Sequence, residues 1–212
     1  FNLNINFEDA KEEKNLVNKS MPKKNNYKKW RIGYCESEEF INYAGTFFAL
    51  LKGLKEIGWI SNIDNIPYKQ GQSDSKIMWE WLSENYTGPY IEFVSDAHYS
   101  LYTLNEKEEK KIINRLKNKN DIDLMIVMGT KAGKVLSNDK HDTPTMVFSA
   151  TNAVKSQIIK SEKDSGLDHV WAHMDADRFR RQVSVLYDIF RFKRLGVVYE
   201  DSPIVRDYSA IT

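Results

Sequence analysis

Short unbroken apolar runs alternate along this chain with stretches in which apolar residues recur every third or fourth position. The first run, residues 30–35, reads as a buried strand. Phe47, Leu50, Leu51, Leu54 and Ile57 then form a helical stripe, with Gly58 placed to stop it. A second strand is expected over 90–94, entered through the turn signal Gly88-Pro89. Asn105 and Glu108 have capping-box spacing and open a helix carrying Ile112, Ile113 and Leu116. Residues 123–128 form a continuous apolar strand, Gly129-Thr130 a tight turn, 131–136 a helix start and 144–148 another strand. Asp175 is expected to cap a helix with Phe179, Val183, Leu186 and Phe190 facing inward. A strand over 195–199 follows, and Ser202-Pro203 begins one more helix.

Continuous strands alternating with amphipathic helices predict an α/β fold, a parallel sheet covered by helices on both faces. The division expected is a polar leader or tether at 1–29, with a short helix around 8–17, then a lobe at 30–166 and the start of a second lobe at 167–212. The helix begun at Ser202 has barely started at Thr212, so this reading expects a longer polypeptide.

Composition narrows the function classes. The 31 basic and 30 acidic residues leave a formal charge of +1, which gives no electrostatic reason to expect nucleic acid as a partner. With 41% apolar and 12% aromatic residues, the chain can build a packed core. No apolar run approaches the roughly 18 residues needed to span a bilayer. Cys35 is the single cysteine and allows no internal disulfide.

In an open parallel sheet, ligands sit at the carboxyl ends of the strands. The first strand brings Cys35, Glu36 and Ser37 to that edge, with Asn42 and Tyr43 at the start of the next helix. The third brings Gly129, Thr130 and Lys131, where backbone N–H groups and a cation could hold an anion. The fourth brings Ser149, Ala150, Thr151 and Asn152, and the last brings Glu200, Asp201 and Ser202. Each is also an ordinary turn or cap residue; their collection at one edge is what singles them out.

Other patterns carry less. Gly129-Thr-Lys-Ala-Gly-Lys-Val lacks the glycine spacing and the Ser or Thr of a phosphate-binding loop. His169 and His173 stand four apart without the glutamate of a zinc-protease motif, so no metal site is expected. Cys35 has no histidine near it in sequence, and a small buried hydrophobe is its commoner fate. Trp79, Trp81, Tyr99 and Tyr102 read as core before they read as a stacking wall. The lysines at 23, 24, 28 and 29 read as a solvated tether.

The segments Asp123-Leu-Met-Ile-Val-Met-Gly-Thr-Lys-Ala-Gly and Thr143-Pro-Thr-Met-Val-Phe-Ser-Ala-Thr-Asn-Ala-Val resemble the periplasmic solute-binding proteins of ABC importers, the family that includes tryptophan and phenylalanine binders. Ile32-Gly-Tyr-Cys-Glu-Ser, Gly53-Leu-Lys-Glu-Ile-Gly-Trp-Ile and Phe192-Lys-Arg-Leu-Gly-Val-Val-Tyr-Glu-Asp are similar to other segments of that family, in order, from about residue 30 to 212. The resemblance implies a type I periplasmic-binding-protein-like fold of two lobes, the second only begun here. It implies a noncatalytic protein without cofactor or metal. Such a protein captures a small organic solute, an amino acid or related organic anion among the candidates, and delivers it to an ABC permease. The implied compartment is periplasmic or extracellular, with membrane anchoring through the N-terminus. The turn Gly129-Thr130 and the run Ser149-Ala150-Thr151-Asn152 match the family's lobe-one ligand loops, and Glu200, Asp201 and Ser202 its first lobe-two loop. Asn152 stands where the amino-acid binders favour an aspartate, and Lys131 where a proline or aromatic is common. The alternatives are a ligand-sensing input domain of a transmembrane signalling protein and an α/β enzyme using Cys35 or Glu36.

Overall fold

The computed structural model describes residues 20–175 and 178–196. Five strands, β1 (Trp30–Glu36), β2 (Ile91–Ser100), β3 (Leu124–Met128), β4 (Thr145–Phe148) and β5 (Val170–Ala172), form one sheet in the order β2-β1-β3-β4-β5. Every pairing is parallel. The helices are α1 (Ile41–Glu56), α2 (Lys76–Asn85), α3 (Glu106–Asn118), α4 (Thr130–Leu136) and α5 (Arg178–Phe190). This is the α/β architecture the apolar pattern predicts.

The two-residue period of the strands sorts their side chains onto two covered faces. Ile32, Tyr34, Ile126 and Met128 pack with Phe47 and Leu51 of α1 and Met78, Trp79 and Leu82 of α2. Cys35, Met125, Val127 and Val147 pack on the other side with Ile112 and Leu116 of α3 and Ala132 and Leu136 of α4. Each large side chain sealed this way contributes roughly 1.5–3 kcal/mol, so both faces are mainly apolar and the strands read as nearly continuous apolar runs. Among the described residues, no helix is long and apolar enough to cross a membrane.

Helix ends follow the sequence signals. Asn105 Oδ1 accepts from the backbone N–H groups of Lys107 and Glu108 at 3.0 and 3.2 Å, and Glu108 Oε2 accepts from the Asn105 N–H at 3.0 Å, so the capping box forms. Helix α1 ends at Glu56, and Gly58 follows with φ +80°, a left-handed value natural to glycine.

Four features depart from the reading of the sequence. Strand β2 runs past residue 94 to Ser100 after an interruption: Ile32 pairs with Phe93, but Tyr34 pairs with His98. The extra residues bulge out, and Arg115 of α3 holds them through the Asp96 carbonyl at 2.9 Å and the Asp96 carboxylate at 2.6 Å. Helix α2 has only Met78, Trp79 and Leu82 as its buried set, too short a stripe to announce itself. Trp79 is fully buried and donates Nε1–H to the Val94 carbonyl at 3.0 Å, so it is a core residue, while Tyr102 is largely exposed. The sheet also continues beyond residue 166, because β5 pairs with β4 through Thr145↔Val170 and Val147↔Ala172.

The fourth departure corrects the orientation of α5. Val183, Leu186 and Phe190 are 46%, 39% and 69% exposed, not inward. Periodicity identifies the residues that share a helix face, but it does not supply the surface that covers that face. No described residue does so here. The side chain of Phe179, the expected strand at 195–199 from residue 197 onward and the helix begun at Ser202 lie outside what the structure describes, as does the expected helix over 8–17. Residues 20–29 of the leader are tied to the lobe: Trp30 Nε1 donates to the Lys23 carbonyl and Trp59 Nε1 to the Ser20 carbonyl, each at 2.8 Å.

Candidate functional site

The carboxyl ends of β1 and β3 lie side by side where the strand order reverses, the usual position of a ligand crevice in such sheets. The seam is closed by Ser37. Its backbone N–H and its hydroxyl both reach the Met128 carbonyl, at 2.9 and 3.2 Å, and the hydroxyl accepts from the Ala132 N–H at 3.0 Å. Ser37 therefore staples β1 to the first turn of α4. Gly129, at φ +90° and ψ 170°, lets the chain leave β3 into that helix beneath Tyr43. Thr130 Oγ1 accepts from the Thr151 N–H at 3.2 Å and thereby fixes the loop after β4.

Lys131 is oriented differently from the anion-binding role its position suggests. Its Nζ donates to the Leu101 carbonyl at 2.8 Å and stands 3.5 Å from Glu109, so its charge is spent on the α3 side of the sheet. Asn152 uses its carbonyl oxygen to accept from the Lys155 N–H at 2.9 Å, as a turn residue does.

The loop after β4 forms one wall of an open cleft of about 480 Å³. Ser149, Ala150, Thr151 and Asn152 line that wall, over Phe148; Thr46, Ala49 and Leu50 of α1 face them, and His173, Met174, Asp175 and Arg178 close the far side. Ser149 sits at φ +55°, and its hydroxyl lies 3.2 Å from Thr46 Oγ1. Asp175 forms a bidentate pair with Arg181. An adjoining hollow shares Thr46, Ala49, Ser149, Thr151 and Arg178, and extends along α1 past Asn42 and Tyr43 to Tyr68 and Gln70. The cleft and the hollow form a continuous groove of hydroxyls and aromatic surface at the carboxyl edge of the sheet, able to hold a small organic molecule by hydrogen bonding and packing.

Of the residues singled out in the sequence, Tyr43, Ser149, Ala150, Thr151 and Asn152 meet at this groove. Ser37, Gly129 and Thr130 lie beneath it as structural supports. Glu200, Asp201 and Ser202 lie outside the described residues. Thr46 and Ala49 were not anticipated. They follow Tyr43 at steps of three on α1 and so share its face, a spacing that could have named them.

Glu36 belongs elsewhere. Its carboxylate Oε2 accepts from Tyr34 Oη at 2.8 Å and from Ser75 Oγ at 2.7 Å. Because the Ser75 proton goes to Glu36, the Ser75 oxygen accepts from His98 Nε2–H, 2.9 Å away. Burial pushes the Glu36 carboxyl up to about 7 and pulls the His98 imidazole down to about 4. Nothing in the sequence pattern pointed to Ser75 and His98 as partners, since the β2 bulge decides which way His98 faces.

Cys35 is fully buried in the core. Burial, and then the adjacent Glu36, push its thiol well above the ordinary range, which disfavours the thiolate that nucleophilic chemistry requires. Iodoacetamide should accordingly leave Cys35 unmodified in the native protein and alkylate it in urea, as mass spectrometry would show; rapid native labelling would restore it as a candidate nucleophile. His169 Nε2 lies 3.1 Å from the Asn138 carbonyl, and the described residues contain no group of three or more His, Cys, Asp or Glu able to hold a metal ion.

No protein-family model and no curated protein sequence matches the chain. A crystal structure of a conserved domain protein from Vibrio cholerae O1 biovar El Tor is similar to it with TM-score 0.50 and 17% identity, over 77% of this chain and 45% of that one. The ABC domain from Streptococcus pneumoniae, solved in complex with L-tryptophan, is similar with TM-score 0.41 and 16% identity, over 68% of this chain and 38% of that one. The chain spans less than half the length of either protein, and its likeness to the Vibrio structure is a likeness of fold.

Proposed function

We propose that this chain is the ligand-binding lobe of an extracytoplasmic solute-binding protein, which captures a small organic solute and delivers it to an ABC permease without altering it. The observation that carries the reading is the groove at the carboxyl edge of the sheet. There the short hydroxyls of Thr46, Ser149 and Thr151 and the aromatic side chain of Tyr43 converge on one open space. The ordered resemblance of the strand-end segments to importer-binding proteins supports it. An open groove suits capture between two lobes, because each wall contributes part of the contact and closure excludes water. With Lys131 held by Glu109, the reading favours a neutral or zwitterionic solute over a simple anion.

The test is a thermal-shift screen of the full chain against amino acids, aromatic acids, nucleosides and sugars. A ligand at a hundredfold excess over its Kd should stabilise the fold by about 2.7 kcal/mol. The hit should be recovered unchanged, and Ser149→Ala with Thr151→Val should weaken it about tenfold, the worth of one or two hydrogen bonds. A hit consumed on incubation would make the chain an enzyme. A hit indifferent to both substitutions would place its site elsewhere.

A further inference from the structure

Glu36 opens onto a hollow of about 770 Å³ that shares no lining residue with the groove. It lies at the carboxyl ends of β1 and β2, walled by His98, Tyr99 and Tyr102, with Glu38, Glu39, Asp74 and Lys76 around it. The Glu36 side chain is almost wholly buried, with 1% of the residue exposed, yet among the described residues no cation pairs with it. Both of its hydrogen bonds, from Tyr34 and Ser75, go to Oε2, and no described donor reaches Oε1. A largely buried carboxylate with one oxygen lacking a described donor, at the edge of an open hollow, is an incomplete arrangement, because buried charges are ordinarily paired.

We infer that this hollow is a second ligand site, which takes the primary ammonium group of an organic amine against Glu36. A cation fits because three carboxylates surround the hollow and Lys76, the only cation lining it among the described residues, stands 3.5 Å from Glu80. An ammonium fits better than a metal ion, since the described residues provide no set of three metal-ligating side chains. An ammonium needs one strong acceptor and neighbouring negative charge, and Oε1 with the rim supplies both. The half-buried Tyr99 and the exposed Tyr102 offer rings for an apolar body or for a cation–π contact. The groups facing Glu36 are Tyr34 on its own strand, Ser75 ahead of α2, His98 on β2, and the rim charges Glu38, Glu39, Asp74 and Lys76. Of these, His98 stays neutral above about pH 4 and adds no competing cation near neutrality.

The experiment is titration calorimetry of the full chain with tyramine, using tyrosol, its uncharged hydroxyl analogue, as control. Tyramine should bind at least tenfold more tightly than tyrosol and lose at least tenfold on Glu36→Gln. On the rim, Asp74→Asn or Glu39→Gln should cost a few-fold. Its affinity should rise with pH through 7, with proton release below that pH, because the ammonium requires the ionised carboxylate. Absence of tyramine heat with a normally folded chain would overturn the inference, as would equal binding of tyrosol or an unchanged Kd in Glu36→Gln. Loss of tyramine binding on Ser149→Ala and Thr151→Val would place the amine in the groove instead. Because those two substitutions leave Glu36 untouched, failure of this site and failure of the proposed groove are read separately.

Discussion

Gly129→Ala is expected to cost about 3 kcal/mol or more of folding stability, from a backbone conformation near φ +90° that side chains resist and from steric overlap added to it. A Cβ at this position would lie 2.2 Å from Tyr43 Oη and 2.6 Å from Ser37 Oγ. Neither neighbour can withdraw cheaply. Ser37 Oγ is held between the Met128 carbonyl and the Ala132 N–H, and Tyr43 is buried against Phe40. Relieving the clash would separate β1 from α4 and so open the crevice where the strand order reverses. Gly53, in the last turn of α1, is the control: an added Cβ meets nothing within 4 Å, and alanine there should stabilise by roughly 0.5–1 kcal/mol. Urea unfolding of both variants checks the pair. Equal midpoints for the two would refute the view that Gly129 is required by the turn.

That contrast also explains which parts of the molecule were legible in the sequence. Strands β1, β3 and β4 declared themselves because both of their faces are covered, so most of their positions are apolar, with Arg31, Glu36 and Thr145 as the polar exceptions. The loops at their carboxyl ends followed from topology, and Ser149 and Thr151 of the loop after β4 line one hollow with Tyr43. Contacts made across the sheet were not legible. Lys131 stands at the right edge, but its side chain turns toward Leu101 and Glu109, which lie 30 and 22 positions away in the chain. Strand β2 looked finished at residue 94 because Ser95, Asp96 and His98 break the apolar run, yet a bulge pinned by Arg115 carries the strand on to Ser100. Val170–Ala172 is a three-residue strand in a polar stretch, recruited by its pairing with β4 rather than by its own pattern. The far wall of the groove, at His173, Met174, Asp175 and Arg178, lies just beyond that strand and was hidden along with it.

The Glu36–His98 pair should show opposite pH dependences that largely cancel in the intact protein. Glu36 is raised from its ordinary 4.5 to about 7, so the stability it favours is complete below 4.5 and is lost as pH rises through 7. His98 is lowered from 6.5 to about 4, so its contribution is complete above 6.5 and is lost as pH falls through 4. Each swing amounts to about 3 kcal/mol over nearly the same window with opposite sign, which conceals both in the parent. Glu36→Gln removes the ionisation cost, so this variant should gain about 3 kcal/mol relative to the parent between pH 4.5 and 7.5. His98→Gln removes the cost of protonation and should gain a similar amount relative to the parent as pH falls from 6.5 to 4, again about 3 kcal/mol. Both comparisons come from urea unfolding at stepped pH, with the difference from the parent plotted for each variant. Two flat difference curves would mean that Glu36 and His98 titrate as they do in the unfolded chain, and the buried network joining Tyr34, Glu36, Ser75 and His98 would then lose its physical basis.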